Sequence, residues 1–396
     1  MRLHLQQLHH LSQAPVRHIL GLMSGTSLDG LDMALCAVSG AGLRTKVQLL
    51  AFETAAYTDD FRQAVRRVFA RRDVDQLTLT LLNVQVAEAH ARLVRAFLQK
   101  NGQPRVDLLA SHGQTVFHAP RNWHGVPGAP NATLQLGDGD HLAVRTGLIT
   151  VCDFRQKHVA FGGEGAPLAL YGDVLLFSDD TEDRFLLNIG GIANFTWLPA
   201  TRESATLQAF ATDTGPGNTL IDAAARHLFS VPFDRDGLLA ARGQVLDALL
   251  DNLMADPFLA MPTPKTTGPE RFSWETTAGI IDRMPKGHHN PYDLMATLTE
   301  YTARSIGLAI RNVARPDLPA AVYVSGGGAD NPELCRRLQR HLPALPLRRV
   351  DALGIPANAK EAVLFALLAN ETVAGEPLPG VQGMPWMGMG KIALPG

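Results

Sequence analysis

The chain has 396 residues, with 36 Lys and Arg against 38 Asp and Glu, a formal net charge of −2, 46% hydrophobic residues and 19% charged ones. One hydrophobic core stops growing at about 250–300 residues, so this length predicts two lobes, and the near-neutral balance offers no basic face to a nucleic-acid partner. Cys36, Cys152 and Cys335 are too few for a disulfide framework and form no CxxC pair, and no apolar run nears the ~18 residues of a membrane span.

The opening MRLHLQQLHHLSQAP has no continuous apolar stretch, so it reads as a loose extension ended by Pro15 and not as a signal peptide. A soluble protein of the reducing cytoplasm is expected. VRHILGLMSGTSLDGLDMALCAV then reads as strand, glycine-rich turn, strand, and KVQLLAFETAAY as a third strand. Helix formers at helical spacing fill Asp60 to Gln99, stopped by Asn101–Gly102. RVDLLASHGQTVFH and GLITVCDF are buried strands with polar ends.

Near residue 184 the pattern begins again. RFLLNIGGIANFTWL is strand, glycine turn, strand, and DTGPGNTLIDAAARHLF is a turn leading into a helix. PYDLMATLTEYTARSIGLAIRNVA is one long amphipathic helix. AAVYVSGGGADNPELCRRLQRHL is strand, triple-glycine turn and helix, with Asn331 as cap, Pro332 at the first position and Glu333 in the first turn. KEAVLFALLANETVA is a further helix, and the last twenty residues read as a tail on the surface. The two strand-turn-strand openings suggest a duplicated lobe.

The turn from Ser24 to Asp32 gathers two glycines, three hydroxyls and two carboxylates between apolar strands. Gly25 and Gly30 permit close backbone approach, so amides can face a phosphate; Thr26 and Ser27 add hydroxyls. Asp29 and Asp32 can hold hydrated Mg²⁺ beside a polyphosphate, or can bond local backbone as Asx turns do. No Gly-Lys-Ser/Thr ending makes this a Walker loop. Gly190–Gly191, between the amides Asn188 and Asn194, and Gly326, Gly327 and Gly328 give two further glycine turns at strand ends.

Asp213 opens the rigid turn DTGPGN, where a carboxylate can act as general base or cap the turn. His112, Gln114 and Thr115 follow a buried strand and suit hydrogen bonding to a sugar. Arg155 suits bidentate binding of an anion, or a structural ion pair.

GLMSGTSLDGLD, SHGQTVFH, LQLGD, DFR, GGEGAPL, LNIGGIAN, DTGPGN, FDRDG, PKTTGPERF and SGGGADNPEL occur in an order that resembles the anhydro-N-acetylmuramic acid kinase family, from about Gly21 to Ala369. The resemblance implies an α/β fold of the actin/hexokinase/Hsp70-like kind. Two related, ribonuclease H-like lobes of mixed sheet with flanking helices would surround a central cleft. It implies lobes at 16–152, joined by the 373–396 tail, and at 153–372, with residues 1–15 a flexible extension. It further implies that Mg²⁺ and ATP are used to open 1,6-anhydro-N-acetylmuramic acid with water and phosphorylate O6, in peptidoglycan recycling.

Carried onto this chain, Gly25, Thr26, Ser27, Leu28, Asp29, Gly30, Leu31 and Asp32 resemble the family's phosphate loop, and Asp213 its catalytic aspartate. Gly190 and Gly191 would meet phosphate, Gly326 to Gly328 adenosine, and Glu361 matches a common acidic position before an apolar helix. The partners implied are the sugar and ATP, with a homodimer common in the family.

The chain departs from the family at Glu164 (usually Gln), His158 (usually Asp), Thr266 (usually Ser) and Pro269 (usually Arg). Two other readings stay open: an ordinary sugar kinase of the same fold, and an actin/Hsp70-type ATP-binding protein without catalysis. The sequence argues against the latter, which would expect an extended C-terminal peptide-binding region.

Overall fold

The computed structural model describes residues 2–201, 208–268, 270–281, 290–356, 358–375 and 388–396. The first half carries strands β1 (Val16–Ser24), β2 (Gly30–Ser39), β3 (Lys46–Ala56), β4 (Leu108–Ala119), β5 (Ala132–Leu136) and β6 (Thr150–Cys152). The second half carries β7 (Asp183–Ile189), β8 (Ile192–Leu198), β9 (Phe210–Pro216), β10 (Ala320–Ser325), β11 (Leu347–Arg349) and β12 (Lys391–Ala393). Packing divides the chain into two compact units, Met1–Leu176 with Ile355–Gly396, and Phe177–Gly354.

In the first unit the sheet runs β12-β6-β4-β1-β2-β3, with β5 paired to β4. β1, β2 and β3 form an antiparallel meander, and β4 joins β1 and β6 joins β4 in parallel. In the second unit the order is β11-β10-β7-β8-β9. Again the first three strands in sequence are antiparallel, and the next two add in parallel on the other side. The orders β6-β4-β1-β2-β3 and β11-β10-β7-β8-β9 correspond strand for strand in sequence order and pairing sense. The internal repeat suspected from the two openings is therefore a repeat of topology, and the expected class of two related α/β lobes stands.

Alternation of apolar residues builds each sheet's buried face. Leu20, Leu22, Leu31, Met33 and Leu35 pack with Val94 and Phe97 of the helix Gln76–Lys100. In the second unit Phe185, Leu187, Ile189, Phe195, Val322 and Val324 pack with Ile306 and Ile310 of the helix Pro291–Arg311 and Leu334 and Leu338 of the helix Pro332–His341. The latter helix starts as read from sequence, Asn331 Oδ1 accepting from the amide of Leu334 at 3.0 Å.

Four expectations change. Residues 2–13 form a helix instead of a loose extension, and just beyond it buried Arg17 donates to Asn370 Oδ1 at 2.6 Å. The long helical run breaks into Asp59–Val68 and Gln76–Lys100, because Ala70 takes a positive φ of 55° and Asp75 caps a new start. The C-terminal tail supplies a strand, β12, antiparallel to β6. Finally, residues 153–176 and the helix Lys360–Ala374 belong to the first unit. That helix buries Ala362 to Glu371, and a side chain on Gly21 of β1 would collide with the carbonyl of Ala362.

Among the described residues no helix is long and apolar enough to cross a membrane.

Candidate active site

The first glycine turn leaves β1 at Ser24 and enters β2 at Gly30. Thr26, Ser27 and Asp29 are exposed, whereas Leu28 and Leu31 are 3% and 0% exposed and face the core. Leu28 takes a positive φ of 59°. Its side chain packs with Val65, Val86 and Val116 and so pins the turn from beneath.

The two glycines here differ in kind. A Cβ on Gly30 would stand 2.6 Å from the carbonyl oxygen of Ala55, so sheet packing demands glycine. A Cβ on Gly25 would meet only Ser27 Oγ, at 3.6 Å. Nothing in the fold requires Gly25, which leaves the outer face of the turn as the reason for its bareness.

Behind this turn lies a polar cluster of the first unit. Arg155 donates through Nε to His112 Nε2 at 3.0 Å and through Nη1 to the carbonyl of Gly165 at 2.6 Å. His112 is 2% exposed; desolvation, aided by Arg155, pushes its pKa down to about 3. Gln114 is 0% exposed and accepts from Ser24 Oγ at 2.5 Å. His112 gives Nε2 to Arg155 and its buried Nδ1 has no hydrogen-bond partner among the described residues, whereas Gln114 spends its side chain on Ser24, Gly25 and Thr115. Both are struts, one under Arg155 and one under the turn. Thr115 is half-buried and accepts from Gln135 Nε2 at 3.2 Å.

Three charges bear on one another here. Asp32, which accepts from Thr54 Oγ1 at 2.5 Å, is pushed up by burial, with Asp29 adding to the rise. Glu361 is pushed up by desolvation and by the charge of Asp32, against the pull of Arg155 and Lys360. A carboxylate raised by a neighbouring negative charge, as Asp32 is by Asp29, gains from a cation. Asp29 and Asp32 therefore suit a hydrated Mg²⁺, although no cluster of three or more metal-ligating groups occurs among the described residues.

His158, one of the departures from the family pattern, has a clear local task. It is 5% exposed and its Nδ1 accepts the amide of Gly165 at 2.9 Å, fixing the loop whose carbonyl holds Arg155. Glu164 is exposed, and nothing in the structure explains it. Pro269 lies outside the described residues.

In the second unit, three turns converge at strand ends. The amides of Gly217 and Asn218 donate to the carbonyls of Gly191 and Gly190, each at 2.8 Å. Asn218 Nδ2 donates to the carbonyl of Ile189 at 3.2 Å. Ser325 pairs with Asn188, so Gly326 crosses close to Asn188 Oδ1 at the same end of the sheet. The helix Thr219–Phe229 begins here, with the amide of Thr219 donating to the carbonyl of Gly191 at 3.2 Å, and the positive end of its dipole favours an anion. Gly190 and Gly327, like Gly25, have room for a Cβ, with nothing nearer than 3.6 Å and 3.7 Å.

Asp213 sits in β9 opposite Asn194 of β8. Its amide donates to the carbonyl of Lys265 at 2.9 Å, and its Oδ2 accepts the amide of Thr267 at 2.8 Å. Oδ1 has no hydrogen bond among the described residues. Burial pushes its pKa up, with the Thr267 amide opposing. A half-buried carboxylate, held at one oxygen and free at the other, has the orientation a general base needs. The loop that holds it is in turn anchored by Lys265, 6% exposed, whose Nζ donates to the carbonyls of Phe258 and Leu259 at 2.7 and 3.0 Å. Sequence reasoning assigned Lys265 and Thr267 no task, although PKTTGPERF stood among the matching motifs.

A family model described as anhydro-N-acetylmuramic acid kinase matches residues 17–385. Proteins named anhydro-N-acetylmuramic acid kinase are similar over nearly their whole lengths. That of Pseudoalteromonas atlantica is 45% identical and that of Pseudoalteromonas translucida 43%, with all of both chains covered. That of Caldanaerobacter subterraneus subsp. tengcongensis is 37% identical, covering 96% of this chain and 97% of the relative.

Proposed function

The chain belongs to the anhydro-N-acetylmuramic acid kinase family, and from that premise we propose that it uses ATP and water to convert 1,6-anhydro-N-acetylmuramic acid to N-acetylmuramic acid 6-phosphate and ADP. The observation that carries the chemistry is Asp213, with Oδ2 tied to the amide of Thr267 and Oδ1 free. Oδ1 takes a proton from the water that attacks C1 of the bridge, as the base of an inverting glycosidase does. The C1–O6 bond breaks, O6 bonds to the γ-phosphoryl group, and the bond from that group to ADP breaks. No separate acid is needed for O6, because the phosphoryl group takes up its charge.

Phosphoryl transfer asks the protein chiefly for positioning. In this reading the turn from Gly25 to Asp32 and the turn at Gly190–Gly191 hold phosphates, and Gly326 to Gly328 lie against adenosine. The room for a Cβ at Gly25, Gly190 and Gly327 supports this, since bare backbone is what a phosphate or flat base approaches. Mg²⁺, when bound, neutralises charge on the phosphates, and Asp29 and Asp32 would hold it through water. Arg155, Thr115, Asn194 and Glu361 serve the sugar and its carboxylate, with His112 and Gln114 acting from behind. We place the reaction in the cytoplasm, in recycling of cell-wall sugars. A homodimer belongs to the same reading and is checked by sedimentation against the 42.7 kDa chain.

The experiment is a coupled ADP assay with the anhydro-sugar and a small sugar panel, run in ¹⁸O-labelled water. Label at C1 of the product marks hydrolytic opening. A phosphorylated product without label would make the protein an ordinary sugar kinase.

A further inference from the structure

Behind the Gly25–Asp29 turn, four buried side chains from four separate segments form one line of hydrogen bonds. His90 lies on the helix Gln76–Lys100, Tyr57 follows β3, Ser24 ends β1 and Gln114 lies in β4. Their exposures are 0%, 5%, 1% and 0%, so water satisfies none of them. Tyr57 and His90 belong to no motif and have no role in the chemistry above.

The direction of the line is fixed by counting protons. Gln114 Nε2 donates to the carbonyl of Gly25 at 3.3 Å and to that of Thr115 at 3.1 Å, so its Oε1 is the acceptor. Ser24 Oγ donates to that oxygen at 2.5 Å and accepts from the Tyr57 hydroxyl at 2.6 Å. The phenol has then spent its only proton. Its contact with His90 Nε2 at 2.9 Å must be a bond donated by the ring, which assigns the proton to Nε2. The order is His90 to Tyr57 to Ser24 to Gln114 to the carbonyl of Gly25. Phe61 closes the site over the Tyr57 ring, with centroids 4.3 Å apart. A low-dielectric chain with one donor per acceptor is cooperative, and loss of one member strands its neighbours.

The end point decides what the line does. The carbonyl of Gly25 and the amide of Thr26 belong to one planar, trans peptide and point in opposite directions. Gln114 Nε2, together with the Leu28 amide at the same 3.3 Å, holds the carbonyl inward and so turns the Thr26 amide outward. We propose that the His90–Tyr57–Ser24–Gln114 line is the device that aims the Thr26 amide at the phosphates of ATP, with Tyr57 and His90 as positioning residues for the reaction. This rests on the reading of the Gly25–Asp32 turn as a phosphate loop.

The test uses the full-length enzyme, with KM for ATP, KM for the anhydro-sugar and kcat measured on each variant. Tyr57→Phe removes the hydroxyl and keeps the ring; KM for ATP should rise roughly five- to tenfold, the factor one aimed hydrogen bond carries. KM for the sugar should stay within about twofold, a split that general loosening of the unit would not produce. His90→Gln keeps an N–H donor and should stay near the parent, while His90→Leu should match Tyr57→Phe. An unchanged KM for ATP in Tyr57→Phe overturns the proposal, as do equal defects in His90→Gln and His90→Leu. If His90→Leu fails to fold, Tyr57→Phe decides alone. Gly25→Ala, which the free protein has room for, separates the two readings. If its ATP binding is intact, the turn is no phosphate loop; if it weakens while Tyr57→Phe does not, only the aiming line falls.

Discussion

The backbone amide of Thr267 reaches Oδ2 of Asp213 at 2.8 Å across 54 residues of sequence, and so decides which oxygen of the carboxylate remains available. One oxygen is spent on orientation and the other makes no hydrogen bond among the described residues. An asparagine fits the same frame, because its carbonyl oxygen can accept the Thr267 amide and its NH₂ then occupies the place of the base.

Asp213→Asn should therefore fold normally, bind ATP within about twofold of the parent, and lose about 10²–10⁴-fold in kcat, the range general-base catalysis supplies. Steady-state kinetics with a parallel nucleotide titration checks this. Substantial residual turnover would remove Asp213 from the role of base.

The same carboxylate sets a pH dependence. Burial raises its pKa, and the Thr267 amide, which favours the charged form, opposes the rise without cancelling it. A base works only when ionised, so kcat/KM should fall as pH falls, with the midpoint above the usual aspartate range. A pH–rate profile with an acid limb at or below that range would contradict this environment for Asp213.

Gly25 and Gly30 offer a paired experiment within one turn. Gly25→Ala should leave the melting temperature within a degree or two, since the new methyl meets only Ser27 Oγ at 3.6 Å, yet should weaken ATP binding. Gly30→Ala drives a methyl to 2.6 Å from a backbone oxygen that cannot swing aside, and should destabilise the fold by about 1–3 kcal/mol. Thermal melts with and without ATP distinguish the two.

A buried ion cluster in the second unit carries a stability prediction. Arg337, 4% exposed, donates to Glu333 at 2.7 Å and to Glu300 at 3.0 Å, and His341 adds a bond to Glu300 at 2.5 Å. Burial works against ionised Glu300, but His341 and Arg337 outweigh it and hold the carboxyl below its usual range; Arg336 leads the same effect on Glu333. A depressed folded pKa adds stability above the unfolded value, and that contribution is lost as pH falls through the folded one. Arg337→Met should cost about 1–3 kcal/mol at neutral pH, because two buried carboxylates each lose one hydrogen-bond partner while Glu300 keeps His341 and Glu333 keeps Arg336, and less in acid. Denaturant melts at two pH values measure both.

Much of this was readable from residue order. The strand-turn-strand openings stand out because apolar runs on both sides of a glycine cluster leave few alternatives, and Asn331-Pro332-Glu333 announces a helix start chemically. What sequence does not carry is the identity of a distant neighbour. The helix Lys360–Ala374 is apolar on nearly every side, which says that it is buried but not that it lies on β1. A polar residue at a strand end, such as Gln114 or His112, looks the same whether it meets a ligand or props up a loop. Burial and partners 43 to 90 residues away decide it here. Tyr57 and His90 are silent for the same reason.

The C-terminal strand β12 and the helix Lys360–Ala374 complete a sheet whose first strand begins at Val16. The polypeptide thus emerges from the ribosome with its leading unit unfinished, and the unit synthesised second, Phe177–Gly354, is the first to have all its residues. The second unit can therefore complete its core before the first, the opposite of the usual N-terminal-first order. Until residues 360–393 are made, β6 has an open edge and β1 an uncovered face, and an open strand edge is a template for pairing with another chain.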